Sequence, residues 1–438
     1  MTDTADRTTG SDVVVEVKAW LEENWDPDLT VAEWWERLGT SGWGAPTWPV
    51  EWFGKGLSRS EGVAVQQAIA DHGALPAPGG LGLMLAGPTI LVHGTDEQKK
   101  RYLRDIVTGQ KAWCQLFSEP GAGSDLAGLN SRAVRDGDEW VVTGQKVWTS
   151  GGQVADLGML IARTDPDQPK HAGITYFAID MHQPGIEVRP LREMTGRALF
   201  NEVFLEEARV SDDAIIGGLN NGWRVANTTL MFERSSLGAG GGSAAVSLAT
   251  PGTVQGDLER RAGDFVATGG RRGGGGGTMF GGSPKAMIEL ARSVGRASDP
   301  TIRQRLVHLH TLTEVARYNN LRLKAAMAAG KDIPGLPNIA KLSMSHIVRL
   351  SRDLGLELAG PYGTLHAYDS ESRQKLDEAT GMPFLANVTE MALFAQGPPI
   401  YGGTDQIQRN IIGERVLGLP KEPGPAKNTP FKDLPKNG

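Results

Sequence analysis

Three spacings of hydrophobic residues follow one another along the chain. Up to about residue 110, apolar side chains recur every three to four positions, the period of a helix with one buried face. Thr95-Asp96-Glu97-Gln98 has the spacing of a capping box, Tyr102, Leu103, Ile106 and Val107 form the stripe behind it, and Gly109 marks the stop. From about 111 to 220 the period shortens to two. Arg135-Asp136-Gly137-Asp138, set between 131–134 and 140–142, predicts a tight hairpin, and 157–162 and 174–179 read as further strands. Short strands at this spacing, separated by turn residues, predict a small barrel or sandwich. Beyond Trp223 the helical period returns, with 306–328 and 338–358 long enough for a helical bundle.

The predicted architecture is therefore α+β. It has an N-terminal helical domain (1–110), a middle β-barrel or sandwich domain (111–222), a C-terminal helical domain (223–420) and a loose tail (421–438). At 438 residues the chain exceeds one ordinary core, which agrees with such a division. An insert at 249–283 interrupts the C-terminal domain. Its centre, Gly269-Gly270-Arg271-Arg272 followed by five more glycines, carries too few apolar groups to order a backbone. Trp20, Trp25, Trp34, Trp35, Trp43 and Trp48 crowd the first domain as core and interface anchors.

Composition narrows the function. Hydrophobic residues at 39% and charged residues at 22% describe a globular chain. No stretch approaches the roughly 20 apolar residues of a membrane span, and the polar, acid-containing residues 1–10 do not form a secretory signal. A single cysteine, Cys114, excludes an internal disulfide and fits a reducing, cytoplasmic setting. A net charge of −6 argues against a nucleic-acid surface, and no metal site is expected.

The chemistry concentrates in three segments. Phe117-Ser118-Glu119-Pro120-Gly121-Ala122-Gly123-Ser124-Asp125 follows an apolar strand and offers backbone N–H groups, small hydroxyls and few Cβ atoms. That combination suits close approach of a flat or phosphorylated ligand. Gly144-Gln145-Lys146-Val147-Trp148-Thr149-Ser150-Gly151-Gly152 arrives on the next hairpin. The third is Ile400-Tyr401-Gly402-Gly403-Thr404-Asp405-Gln406-Ile407-Gln408-Arg409. Together, in this order, they closely resemble the acyl-CoA dehydrogenases, and the resemblance runs from about residue 13 to 420.

That resemblance implies FAD bound in extended form with its isoalloxazine against the β domain. Phe117 and Ser118 would then offer backbone and hydroxyl groups to the ring, with Trp148 beside it and Ser150 at the nitrogen that accepts hydride. Ser124 falls where the family contacts the acyl-CoA, and Arg234 where it meets the CoA nucleotide. Thr404 and Gln406 match positions near the FAD diphosphate or adenine, and Arg292 resembles an arginine that reaches FAD across a subunit boundary. Gly360 lies in a Leu356-Glu357-Leu358-Ala359-Gly360-Pro361-Tyr362-Gly363 loop that lacks the family's glutamine but keeps backbone donors.

The family reaction needs a carboxylate to take the proton α to the thioester, while hydride leaves the β carbon for flavin. Many members place a glutamate directly before the Gly-Thr of the third segment. Here that position is Gly402, which keeps only the backbone N–H that the family points at the thioester oxygen. A smaller branch carries its base on the first helix of the C-terminal domain, and Glu233 stands at the matching site. Ala226, Leu230 and Leu237 flank Glu233 at helical spacing, so the carboxylate interrupts an apolar face, where desolvation raises its basicity. The implied activity is dehydrogenation of an acyl-CoA to the trans-2-enoyl-CoA, as in fatty acid β-oxidation, with electron-transfer flavoprotein as acceptor. The implied assembly is a homodimer or homotetramer, or a mixed complex with a related subunit. Two alternatives stay open at this point: a flavin oxidase or monooxygenase on the same fold, and a non-catalytic subunit of a mixed assembly.

Overall fold

Helices lie between Gly10 and Val107, strands between Trp113 and Ser211, and helices resume at Gly222. A computed structural model describes residues 10–238, 257–266, 283–328, 331, 333–382, 384–421, 423–424 and 428–435. The order of helices, sheet and helices is the one that the hydrophobic spacing implies.

The first domain contains α1 (Gly10–Asn24), α2 (Val31–Thr40), α3 (Arg59–His72), α4 (Gly87–His93) and α5 (Asp96–Val107). The capping box at Thr95 forms as the sequence predicts: the Gln98 N–H donates to Thr95 Oγ1 (3.3 Å) and the Thr95 N–H to Gln98 Oε1 (3.0 Å). Four of the six early tryptophans are buried. The Trp25 and Trp34 rings meet edge to face at 4.7 Å, and the Trp34 and Trp35 indoles donate to the carbonyls of Leu75 and Pro76. These contacts supply apolar area while satisfying both indole N–H groups.

Seven strands form one sheet: β1 (Trp113–Leu116), β2 (Arg132–Asp136), β3 (Glu139–Ser150), β4 (Leu157–Arg163), β5 (Ile174–Asp180), β6 (Ile186–Leu191) and β7 (Phe200–Ser211). Their order is β1-β4-β2-β3-β7-β6, with β5 pairing β4 on its own path. The predicted hairpin is the β2–β3 pair, closed with Asp136 opposite Glu139. Helix α6 (Gly222–Gly238) then lies against β5 and α4. Buried hydroxyls join the three elements: Thr229 Oγ1 of α6 is 2.9 Å from Thr89 Oγ1 of α4 and 3.3 Å from the Tyr176 hydroxyl of β5.

In the C-terminal bundle, Met287, Leu290, Ile302, Leu354, Leu358, Leu385 and Met391 share one core. A buried carboxylate ties this bundle to the sheet. Glu390 pairs with Arg197, in the β6–β7 loop, and with Arg373 at 2.9 Å.

Two segments are more ordered than their composition suggests. The glycine-rich centre of the insert lies outside the described residues, but its 257–266 part docks on the first domain. The Val31 N–H donates to the Arg260 carbonyl (2.8 Å) and the Ala262 N–H to the Leu29 carbonyl (2.8 Å). Ala262 is buried in the tryptophan-rich core, and Arg261 Nε donates to Asp28 (2.6 Å). Backbone pairing with the approach to α2, together with Leu258, Ala262, Phe265 and Val266 packing on that core, orders this stretch. The tail, expected to be loose, likewise docks over 428–435, where an isolated bridge joins Pro430 to Pro169. Charging the Ala262 site should release the insert segment. Ala262→Asp is expected to lower the melting temperature and to expose Arg260 and Arg261 to trypsin. In the wild-type protein cleavage there should be slow, as peptide mapping of limited digests will show.

Candidate functional site

The first two sequence segments meet through a buried ion pair. β1 ends at Leu116, and Glu119 and Ala122 exchange backbone hydrogen bonds of 3.0 Å that close a tight turn around Pro120-Gly121. The turn points the Glu119 carboxylate inward, where the side chain is 7% exposed and Lys146 is 0% exposed. Lys146 Nζ donates to Glu119 Oε1 (2.8 Å) and to the Phe117 carbonyl (3.1 Å). Glu119 also accepts from the Asn130 and Ser131 N–H groups, at 2.6 and 2.9 Å. Burial opposes ionisation of Glu119, but the Lys146 charge and these donors outweigh it and hold the carboxyl below its usual range. Burial pulls the Lys146 ammonium down from its ordinary value, against the pull of Glu119. Neighbouring Gly144 has no space for a side chain: a Cβ there would lie 2.2 Å from Ser131 Oγ.

One residue further, β3 breaks its alternation. Trp140, Val142 and Lys146 share one parity and are buried, so Trp148 should also point inward. Instead the pairing with β7 slips between Lys146 and Thr149, and Trp148 adopts φ 61°, a strained value for a bulky residue. The bulge turns the indole out to 60% exposure, and Thr149 takes the buried place. The Phe200 ring, at the start of β7, props Trp148 edge to face at 5.8 Å. Asn201 holds the strand end through its Nδ2, which donates to the Thr149 carbonyl (2.9 Å) and to Gln153 Oε1 (2.5 Å).

The Val147 N–H donates to the Ser118 carbonyl (2.9 Å), which sets Phe117-Ser118 beside Trp148-Thr149-Ser150. The structure thus brings together the four ring-site residues named from sequence. Phe117 is buried, with its ring edge to face on Tyr176 at 6.0 Å. Ser118 and Ser150 are half-buried, and Ser124 is exposed. Neutral hydroxyls, backbone donors and one outward indole make a site for a flat heterocycle with a hydrogen-bonding edge, not for a metal ion.

The third segment is built around Gln408 and Asp405. Gly402 and Gly403 take φ 62° and 79°, and Gln408 Nε2 donates to the Gly402 carbonyl (3.0 Å) from under the turn. A Cβ on Gly403 would sit 2.7 Å from that nitrogen. Thr404 caps the helix Asp405–Ile411 through its hydroxyl, and buried Asp405 pairs with Lys341 (3.1 Å) and Arg349 (2.7 Å). Gln406 is exposed.

Of the remaining candidates, Glu233 is half-buried on α6. It continues the face that Val225, Ala226 and Thr229 bury and Leu230 half-buries. The Arg234 side chain lies outside the described residues. Arg292 is exposed in the last turn of Pro284–Ser293, and Gly360, φ 56°, ends the helix Leu336–Ala359. Among the described residues, neither makes a hydrogen bond or ion pair with the strand ends that carry Phe117 and Trp148. Burial pushes the Cys114 thiol up to about 12, so this cysteine is inert.

Sequence reasoning passed over Glu119, Lys146, Phe200 and Arg163. Arg163 ends β4, and burial pulls its guanidinium down to about 10. The available signal was parity: a lysine in register with Trp140 and Val142 requires a buried acid, and Glu119 stands in the partner segment.

Comparison with known proteins follows this geometry. Family models match at residues 1–110 (acyl-CoA dehydrogenase, N-terminal domain), 114–207 (middle domain) and 285–417 (C-terminal domain). The acyl-CoA dehydrogenase IpdE1 of Mycobacterium tuberculosis is 35% identical over 89% of this chain and 88% of its own length. The acyl-CoA dehydrogenase FadE34 of the same organism is 51% identical over 88% of this chain, which spans only 46% of that longer protein. Among solved structures, the Tcur3481-Tcur3483 steroid ACAD is 25% identical with a TM-score of 0.67, over 96% of this chain and all of that one. The ChsE4-ChsE5 complex of M. tuberculosis is 27% identical with a TM-score of 0.62, again over 96% and 100%.

The ion pair carries a sign-definite pH dependence. The folded-state pKa of Glu119 is depressed, so its stabilisation is present above the unfolded value of about 4.3 and is lost as pH falls through the folded value. Glu119→Gln should flatten this acid limb in chemical-denaturation curves. It should also cost about 3–5 kcal/mol at neutral pH, because Lys146 stays buried without its counter-charge. Glu119→Gln with Lys146→Met should recover part of that loss.

Proposed function

The chain belongs to the acyl-CoA dehydrogenase family, and on that premise we propose that it dehydrogenates a ring-bearing, steroid-derived acyl-CoA to the 2-enoyl-CoA, with Glu233 as base. The family is FAD-dependent, and the residues fit the cofactor: the outward Trp148 indole offers a plane, and Phe117, Ser118 and Ser150 offer uncharged donors and acceptors at its edge. Thr404, Gln406, Gly360 and Arg292 are proposed for its diphosphate and adenine end, and exposure of Arg292 suits a role toward a second subunit. FAD, when bound, supplies the hydride acceptor.

The protein's own part is to bind, orient and move one proton. Glu233 takes the α-proton, and the Gly402 N–H donates to the thioester oxygen as negative charge develops there. Gln408 under the turn steadies the backbone that follows this N–H by donating to the Gly402 and Gly403 carbonyls. Ser124 and Arg234 are proposed to hold the CoA portion. The observation that carries the base assignment is the placement of Glu233 in line with a buried helix face, while position 402 bears no side chain. A glycine at 402 also leaves volume beside the reacting carbons, which favours substituted acyl groups. The name of one similar solved structure, the Tcur3481-Tcur3483 steroid ACAD, supports steroid-type substrates. Both solved structures are named as pairs of chains, which supports an oligomer, homomeric or mixed. Among the described residues no helix is long and apolar enough to cross a membrane. Electron-transfer flavoprotein is the proposed acceptor.

Glu233→Gln keeps size and hydrogen bonding but removes the base. Flavin content should stay at the wild-type level, while the rate of flavin reduction by substrate in stopped flow should fall about 10²–10⁴-fold. Reduction at the wild-type rate would overturn the assignment. Across matched straight-chain, α-branched and ring-bearing acyl-CoAs, kcat/KM should be highest for the ring-bearing member. Preference for the straight chain would refute the substrate class.

A further inference from the structure

The C-terminal family match ends at residue 417, yet residues 428–435 return to the middle sheet and dock on the loop between β4 and β5. The Phe431 N–H donates to the Gln168 carbonyl (2.9 Å) and the Lys432 N–H to the Pro166 carbonyl (3.0 Å). Lys432 Nζ also lies 2.6 Å from Asp167 Oδ1. The Phe431 ring covers the Arg163 guanidinium at 3.7 Å.

Arg163 is the point at which this contact reaches the substrate side. Its Nη2 donates to the Ala127 carbonyl and its Nη1 to the Lys170 carbonyl, both at 2.6 Å. Ala127 follows the loop that bears Ser124. Lys170 Nζ reaches Asp125, the next residue after Ser124, at 2.8 Å. His171 lies with its ring 4.9 Å from Trp223, at the start of the helix that carries Glu233. Among the described residues no carboxylate lies within ion-pair distance of Arg163. The guanidinium is held by two carbonyls and an aromatic face, so removing the face admits water to a buried cation and loosens its grip on both loops.

We propose that residues 428–435 form a strap that positions the coenzyme A entrance, with Phe431 acting through Arg163 on the Ser124 and 164–173 loops. Phe431 is a positioning residue and touches no reacting group. The inference rests on the reading that Ser124 meets coenzyme A. It goes beyond that reading, because the strap lies outside the family match. Phe431 touches neither Lys146 nor Glu119, the pair that fixes the flavin-ring residues; Arg163 feels their charges, but the hydrogen bonds that hold the pair do not involve its side chain.

The test uses the full-length, FAD-loaded protein with free coenzyme A as the probe, measured by isothermal titration. Phe431→Leu should weaken binding about tenfold, the loss of one desolvated cation–π contact. Flavin content and kcat should remain near wild type and the melting temperature should fall by only a few degrees, while KM for an acyl-CoA rises. Phe431→Tyr, which keeps an aromatic face, should restore binding. Equal coenzyme A affinity in wild type and Phe431→Leu would overturn the strap alone and leave the proposed activity standing. Weakened binding that Phe431→Tyr fails to rescue would also overturn it. A wild-type protein that binds no coenzyme A would overturn both the strap and the reading of Ser124.

Discussion

A buried lysine on β3 and a buried glutamate in the turn after β1 set the geometry on which the rest of the site depends. Burying Lys146 and Glu119 is costly unless each is paired and hydrogen-bonded. The chain meets that condition with two backbone N–H donors on Glu119 and the Phe117 carbonyl on Lys146. Those same bonds fix the Glu119–Ala122 turn, the path of Asn130-Ser131 and the end of β3. The pair contributes little to net stability compared with a well-packed apolar alternative of the same volume. Its value is positional, because it allows few other arrangements of the two segments.

The consequence is felt one turn of backbone away. The β3–β7 pairing slips twice, between Val142 and Gly144 and again between Lys146 and Thr149, and because Lys146 is held in the interior the second slip falls beyond it. The residue that absorbs this second slip is Trp148, in a left-handed conformation that an aromatic side chain rarely takes. Phe200 and Asn201 support the strained segment from β7, and the Arg197–Glu390 contact ties the preceding loop to the helical bundle. The indole is thus held outward from several directions, as a planar cofactor face requires. On the other side of the sheet, α6 is seated through Thr229 on Tyr176, whose ring meets Phe117. Helix α6, which carries Glu233, is therefore linked through the buried Tyr176 to Phe117 at the end of β1.

Much of this was legible before any coordinates. Periods of 3.6 and 2 give the order of helices and strands, the turn residues give the β2–β3 hairpin, and Thr95 with Gln98 gives the start of α5. The first two motifs, through the family resemblance they carry, point to Phe117, Ser118, Trp148 and Ser150. What stayed hidden depends on long-range pairing. Alternation points Trp148 inward, and only the slip against β7 turns it out. Nothing local in the 257–266 segment or the 428–435 tail names its partner: Leu258, Ala262, Phe265 and Val266 find theirs in the tryptophan-rich core of the first domain. Both segments also pair through the backbone with residues far away in sequence, at 27–32 and 166–169. Arg163 looks like a surface charge at a strand end until Phe431, far along the chain, is seen to cover it.

The central claim is that this fold presents a flavin to an acyl-CoA thioester. Anaerobic addition of a ring-bearing acyl-CoA to the purified protein, followed by visible absorbance, tests it most directly. The account predicts a yellow protein whose flavin band bleaches on addition. A protein that fails to take up added FAD, or holds it and keeps its full absorbance with every acyl-CoA offered, would contradict it.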